Sequence, residues 1–299
     1  MPNVASIVRV LVTMAAVAIA AVFGWYLWVT YQESPWTRDG RVRANVVNVA
    51  PDIAGPVIDV PIKDNQTLRI GDVLFTVDRA RYQLALAQAE AALAQAKSAT
   101  DERQDELERR QKLTSASISD EALSQARNTA LGAQAAYDQA VAAVGVAKLN
   151  LARTEVRSPV NGYVTNLLLD RGDYATVGHP MVAIVDSDSY YVAGYFEETK
   201  LRHIKLGDPV SIRLMGFDAA LQGHVQSVAR AITDRDNALA SDLIANVNPT
   251  FSWVRLAQRI PVRIAIDKVP EGITLSAGMT ATVVVTDPGD PRRVKAPAP

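Results

Sequence analysis

The chain has 299 residues, 48% hydrophobic and 21% charged, with a formal net charge of −1 and no cysteine. That length admits two or three small domains, and the hydrophobic content belongs to a folded rather than a disordered chain. The near-neutral balance argues against nucleic-acid binding, which needs clustered Lys and Arg, and the lack of cysteine removes disulfides, thiolate metal sites, cysteine nucleophiles and a cysteine-linked lipid anchor.

Residues 1–9 carry a single charged side chain, Arg9, and Val10–Tyr31 is a run of 22 residues without a charge. At ~1.5 Å per helical residue such a run matches the ~30 Å hydrocarbon core of a bilayer. Trp25, Tyr26, Trp28 and Tyr31 gather at one end, as at a membrane–water boundary. The competing reading is a cleaved signal peptide with Ala18-Ile-Ala20 as its small-residue site, but apolar residues continue to Val29. The expectation is a retained transmembrane anchor over residues 10–31. Charge alone leans toward an outside N-terminus, since Arg38, Arg41 and Arg43 follow the run and only Glu33 and Asp39 offset them.

Residues 32–48 read as a short polar lead, with Ser34-Pro35-Trp36 as a turn. Residues 49–78 read as strands broken by Pro, Gly and Asn turn residues. This segment has a counterpart further on. Gly55, Val57, Asn65 and Gly71 recur 107 residues later as Gly162, Val164, Gly172 and Gly178, within residues 154–186. Gly55, Gly71, Gly162 and Gly178 are expected to supply the turns of two half-motifs that close on each other.

Between them, residues 79–153 contain no proline, and no glycine occurs from Asp72 to Leu131. A first helix is expected from about Arg79 to Lys112, with Leu86, Leu93, Thr100 and Leu107 in sevens and Ala89 and Ala96 beside them. Leu113–Ile118 forms a short connection, and Ser119 is placed to cap a second helix whose first turn holds Asp120 and Glu121. That helix, about Asp120 to Ala152, carries two interleaved heptads. One is Leu123, Ala130, Tyr137, Val144 and Leu151; the other is Ala126, Ala133, Ala140 and Ala147. The short connection makes the pair an antiparallel coiled-coil hairpin about 50 Å long.

Residues 187–286 alternate as strands around Tyr191–Tyr195, Val210–Leu214, Gly223–Val228, Val262–Ile266 and Thr280–Val285, which predicts a barrel with a small sheet beside it. Thr233–Asn248 reads as a loop and residues 287–299 as a flexible tail.

Chemistry-bearing constellations are scarce. His179, His203 and His224 are isolated, and Glu197-Glu198 and Asp186-Ser-Asp188 read as solvated surface. No phosphate-binding loop, nucleophile elbow or dinucleotide fingerprint occurs, so nothing indicates an enzyme. A two-helix rod buries only a narrow seam, so its length is better explained by reach toward a partner. Arg109, Leu113 and Ser119 at its turn are the candidate contacts. The plain alternative makes Leu113 a cap on the seam and Ser119 only a helix cap.

The split half-motifs, helical insert and following strands together resemble the periplasmic adaptor, or membrane fusion, proteins of tripartite efflux pumps, of the hemolysin-secretion D type. Glu33-Ser-Pro-Trp-Thr-Arg-Asp39, Glu197-Glu-Thr-Lys-Leu201 and Trp253-Val-Arg-Leu-Ala-Gln-Arg259 resemble, within that family, the adaptors of p-hydroxybenzoic acid efflux pumps. The resemblance implies an α+β, mainly β fold: an N-terminal transmembrane helix, a lipoyl-like β-sandwich split by the hairpin, then a β-barrel and a membrane-proximal β domain that begins within 32–48 and shares 187–286. It implies a cytoplasmic N-terminus over residues 1–9 and a periplasmic bulk anchored in the inner membrane of a Gram-negative cell. It also implies a homo-oligomeric ring, trimeric or hexameric, between an inner-membrane transporter and an outer-membrane channel, exporting aromatic carboxylic acids or related small organic compounds. Alternatives are an adaptor for a multidrug exporter or a type I secretion system, an acyl or carboxyl carrier, and a membrane-tethered spacer. The family's tip pattern is Arg-x3-Leu-x6-Ser; Arg109 and Leu113 match it, and Ser119 comes one residue early. The modified lysine turn of true lipoyl carriers is missing, so no cofactor is implied.

Overall fold

A computed structural model describes residues 4–28, 34–113, 119–232 and 257–286, with the side chains of residues 4–8, 10, 26 and 27 also outside the description. The chain forms two units, one from Val46 to Asp188 and the other from the segments before and after it. The 233–248 loop and the 287–299 tail read from the sequence lie outside the described residues.

The central unit is a sandwich of two four-stranded sheets. Its strands are β2 (Val46–Val49), β3 (Gly55–Asp59), β4 (Thr67–Leu68), β5 (Val73–Val77), β6 (Glu155–Arg157), β7 (Gly162–Thr165), β8 (Tyr174–Ala175) and β9 (Val182–Asp186). One sheet runs β2-β9-β7-β4 and the other β6-β5-β3-β8. Each sheet therefore draws strands from both half-motifs. The short β4 of the first half pairs with β7 of the second, and the short β8 of the second pairs with β3 of the first.

This exchange is reciprocal down to single bonds. Val57 N–H donates to Asp173 O at 2.8 Å, and Val164 N–H donates to Gln66 O at 3.0 Å. Gly172 N–H donates to Val57 O at 2.9 Å, and Asn65 N–H donates to Val164 O at 3.2 Å. The 107-residue repeat is thus a pseudo-twofold in space. Val57 and Val164 face a shared core with Phe75 and Ile184, and the matched pair Ile62 and Leu169 are each 5% exposed. Neither half could bury this core or pair its short strand alone.

The four expected turn glycines divide into two kinds. Gly71 and Gly178 have φ of 91° and 74°, left-handed turn conformations that disfavour a side chain. Gly55 and Gly162 are not in turns; they begin β3 and β7. Their constraint is proximity, because a Cβ on Gly162 would stand 2.0 Å from Val185 O on the paired strand.

Between β5 and β6 run α2 (Ala80–Gln111) and α3 (Asp120–Ala152), packed along each other. Their roots are fastened to the sandwich. Tyr82 Oη donates to Ala54 O at 2.8 Å, and Arg79 pairs with Glu155 at 2.8 Å. The fully buried Thr154 closes α3, its hydroxyl donating to Leu151 O, and its carbonyl accepts from Val77 N.

The other unit contains a closed six-stranded barrel ordered β1-β10-β13-β12-β11-β14. Its strands are β1 (Trp36–Arg43), β10 (Tyr191–Glu197), β11 (Pro209–Leu214), β12 (Ala220–Val228), β13 (Arg259–Lys268) and β14 (Thr280–Val285). Alternate residues point inward, and Val42, Val192, Phe196, Ile212, Leu221, Ile264 and Val283 fill the interior. Residues 36–43, expected in a polar lead and a separate membrane-proximal domain, instead form the strand that joins β10 to β14. Among the described residues all strands of this unit belong to the one barrel. Only Gly40 and Val42 are buried along the last five residues of β1, so the strand carries little hydrophobic signal.

The barrel unit also holds α1 (Val4–Trp28), 25 residues long, whose stretch from Leu11 to Trp25 is exposed and uncharged. Among the described residues no helix is long and apolar enough to cross a membrane. The uncharged run read from the sequence, Val10–Tyr31, continues into residues 29–31, outside the described set.

Candidate functional site

Helix α2 begins where Asp78 Oδ1 accepts from Ala80 N at 3.0 Å, and its length follows from alanine and straight-chain residues with no helix breaker. On both helices the shielded stripe is the heptad stripe. Leu86, Leu93, Leu107, Leu123, Tyr137 and Leu151 are half-buried, and Ala130 and Val144 are buried. Thr100, 5% exposed, donates its hydroxyl within reach of Ala96 O (2.9 Å) and, across the seam, Ala133 O (3.0 Å). Nearer the turn, Arg110 reaches Ala122 O at 3.3 Å. These contacts define an antiparallel register, and the remaining faces of both helices are open to solvent.

At the turn, Arg109 is exposed and Leu113 is 53% exposed. Ser119 is exposed too, but its Oγ accepts from Ala122 N at 3.2 Å and so caps α3. Ser119→Ala is expected to cost about 1 kcal/mol in urea unfolding of the chain, and Ser119→Asp to restore most of it. A full loss of stability is not expected, because the seam rather than the cap holds the arms together. Arg109, Leu113 and Ser119 thus belong to one end of the hairpin, with the intervening 114–118 outside the described residues.

A second grouping was not foreseen. The described parts of the three sequence stretches that carried the finer resemblance, residues 34–39, 197–201 and 257–259, meet at one part of the barrel. Trp36 on β1 lies beneath Lys200, whose Nζ is 5.2 Å from the indole centroid, 3.4 Å from Trp36 O and 3.7 Å from Glu197 Oε2. Arg38 stands 5.6 Å from the same ring, and Arg259 Nη1 pairs with Asp39 Oδ2 at 2.7 Å. Glu198 N–H donates to Gln258 O at 3.0 Å. Lys200 sits in the 3-10 turn Glu198–His203 and is only 7% exposed. Its charge is held by a carboxylate, a carbonyl and a ring face rather than by water. The arrangement clasps β1 to β10. Lys200→Ala is expected to destabilise the barrel by about 2 kcal/mol through lost packing and lost cation contacts, whereas Arg259→Gln, at an exposed pair, should cost under about 1 kcal/mol. Denaturant midpoints of both variants check the contrast. The signal was present as Trp-x-Arg-Asp and Glu-Glu-Thr-Lys, but nothing in one dimension places residues 36 and 200 together.

The histidines join no constellation: His224 Nδ1 contacts Asp267 at 2.8 Å, and His203 Nε2 contacts Arg202. Among the described residues no group of His, Cys, Asp and Glu is arranged to hold a metal.

A sandwich split by a helical hairpin, in a chain that also closes a six-stranded barrel, is the architecture of a membrane fusion protein. The comparisons agree. Residues 80–152 match the family described as pHBA AAEA subunit, alpha-helical hairpin domain, and residues 189–286 match AAEA-like beta-barrel domain. The chain is 46% identical over 273 residues to the uncharacterized protein YdhJ of Escherichia coli K12, spanning 91% of this chain and 96% of that one. Solved structures share its fold. MacA from Actinobacillus actinomycetemcomitans aligns with a TM-score of 0.65 at 20% identity, over 84% of this chain and 78% of that one. The membrane fusion protein Spr0693 from Streptococcus pneumoniae R6 gives 0.61 at 19% identity, over 83% and 97%. The chain belongs to the AAEA-like family of membrane fusion proteins, the periplasmic adaptors of efflux pumps. The β1 strand lies outside both matched stretches.

Proposed function

We propose that this protein is the periplasmic adaptor of a tripartite efflux pump, joining an inner-membrane transporter to an outer-membrane channel for export of aromatic carboxylic acids. The hairpin carries the reading. Its shielded surface is spent on its own seam, and its turn presents Arg109 and Leu113 to solvent, as a docking end would. Ser119 shapes that end by capping α3. The cargo class is supported by the pHBA designation of the matched hairpin family. Helix α1, apolar and exposed from Leu11 to Trp25, supports a single-pass inner-membrane anchor over residues 10–31, with residues 1–9 cytoplasmic and the bulk of the chain periplasmic. Several copies form a ring around the transported solute, and energy comes from the transporter.

Crosslinking in intact cells followed by capture of the full-length chain should recover both a transporter and a channel. Recovery of neither overturns the proposal. A deletion strain should accumulate aromatic carboxylates; unchanged efflux of these acids with impaired efflux of drugs or proteins would move the cargo to the multidrug or secretion alternative.

A further inference from the structure

The outer face of the barrel holds a groove of ≈ 280 Å³, lined by none of the hairpin residues. Its floor is Ala193 on β10, and the residues two positions away on the same face, Tyr191 and Tyr195, wall it at both ends. Arg263 lies directly opposite Ala193 on β13, and Arg43 lies opposite Tyr191 on β1. Ala193 is 7% exposed although it faces outward, because these larger side chains stand around it.

The electrostatics are one-sided. Arg43 Nη2 donates to Tyr195 Oη at 3.0 Å, and Arg263 Nε donates to Gln226 Oε1 at 2.8 Å. The Arg263 guanidinium is centred 3.6 Å from the Tyr191 ring centroid. Among the described residues, every partner of these two cations is uncharged. A guanidinium has five N–H donors in a planar fork, so each retains donors suited to a carboxylate. By contrast, Arg259 elsewhere on the barrel is paired with the carboxylate of Asp39.

We infer that this groove binds a small aromatic carboxylate, with the carboxylate on the Arg43 and Arg263 forks and the ring against the Tyr191 and Tyr195 side chains. The residues require both halves of that description. An inorganic anion would leave the aromatic walls unused, and a neutral ring would leave two cations with no counter-charge among the described residues. The tyrosines close the groove along the strand, so it admits a one-ring molecule rather than an extended peptide. The volume falls just below the usual range of small-molecule sites and the groove is open, so binding is weak, with a dissociation constant on the order of 1 mM. For the adaptor, such a site would hold cargo at the barrel surface rather than leave the barrel a passive wall. In naming cargo this rests on the export reading; the groove itself is read from its residues.

The test uses the full-length chain in detergent, with empty micelles as control, and saturation-transfer NMR on the ring protons of benzoate. Benzoate should show saturation, and cyclohexanecarboxylate and benzyl alcohol should compete poorly. Arg43→Gln and Arg263→Gln should each weaken benzoate binding about tenfold, the size expected for loss of one charge-assisted hydrogen bond, with Arg43→Lys intermediate. Unchanged thermal unfolding of the variants shows that the barrel persists. No saturation with the native chain, equal competition by cyclohexanecarboxylate, or binding indifferent to both arginine variants overturns the inference. Because the readout is binding to the isolated chain, it is separable from the pump. Lost capture of transporter and channel sinks the adaptor reading without touching the groove, and absent benzoate binding sinks the groove without touching the adaptor.

Discussion

Leu113→Asp is expected to abolish export and to leave the protein folded. Leu113 follows the last turn of α2 and is 53% exposed, its N–H donating to Arg110 O at 3.2 Å. An aspartate there stays in water in the free chain, so the folding cost is under about 1 kcal/mol. Against an apolar pocket on a channel the balance reverses. A central apolar anchor contributes about 2–4 kcal/mol, and burying an unpaired carboxylate costs further kilocalories. Docking should therefore weaken by at least about a hundredfold. Export by a complemented deletion strain, with the thermal unfolding of the purified variant as control, measures both halves. Full export in the Leu113→Asp strain removes the docking role from the tip. Arg109→Ala should weaken export less, since its guanidinium is exposed and rim charges act mainly on association rate.

Gly162→Ala is expected to unfold the sandwich or bring it to the edge of unfolding. The added Cβ would lie 2.0 Å from Val185 O, 2.9 Å from Val185 C and 3.2 Å from Ile184 Cγ2. The first two are backbone atoms of β9, held by the β7–β9 ladder in which Tyr163 is paired with Val185. Nothing flexible can give way, so the ladder itself must shift, at a cost of about 3 kcal/mol or more. Its repeat partner offers an internal control. A Cβ on Gly55 would meet only Val77 Cγ1, at 2.8 Å, and a valine methyl can move by a rotamer or a small displacement. Gly55→Ala should cost about 1–2 kcal/mol. Urea midpoints decide between them. Equal losses at the two positions would mean that the strand exchange tolerates a side chain at β7.

Much of this architecture is legible in one dimension because it rests on periodicity. The heptads of residues 86–107 and 123–151 coincide with the shielded stripe, since on an α-helix a repeat of seven returns to nearly the same face. The repeat of 107 residues was visible through Gly71 and Gly178, which the backbone conformation requires, and through Val57 and Val164, which the core requires. Residues 36–43 were misread because a barrel strand with charged outward positions and a glycine inward shows almost no alternation. Gly55 and Gly162 were assigned to turns because sequence cannot distinguish a glycine needed for its φ from one needed for its missing Cβ. The Trp36–Lys200 clasp and the Arg43–Tyr195 contact depend on pairings across more than 150 residues, and no local pattern encodes those.

The pairing of β5 with β6 sets how the protein bears mechanical load. The arms of the hairpin issue from these adjacent strands, joined with Phe75 opposite Val156. Tension on the far end pulls both strands the same way, so their mutual hydrogen bonds do not slide against each other. β5 and β6 come from different half-motifs, so both halves take the load at once, and β3 and β8 spread it across the rest of the β6-β5-β3-β8 sheet. Strands loaded along their length share the strain over many bonds at once instead of parting one by one. If the hairpin end docks as proposed, a tether built in this way holds its grip without opening at its base.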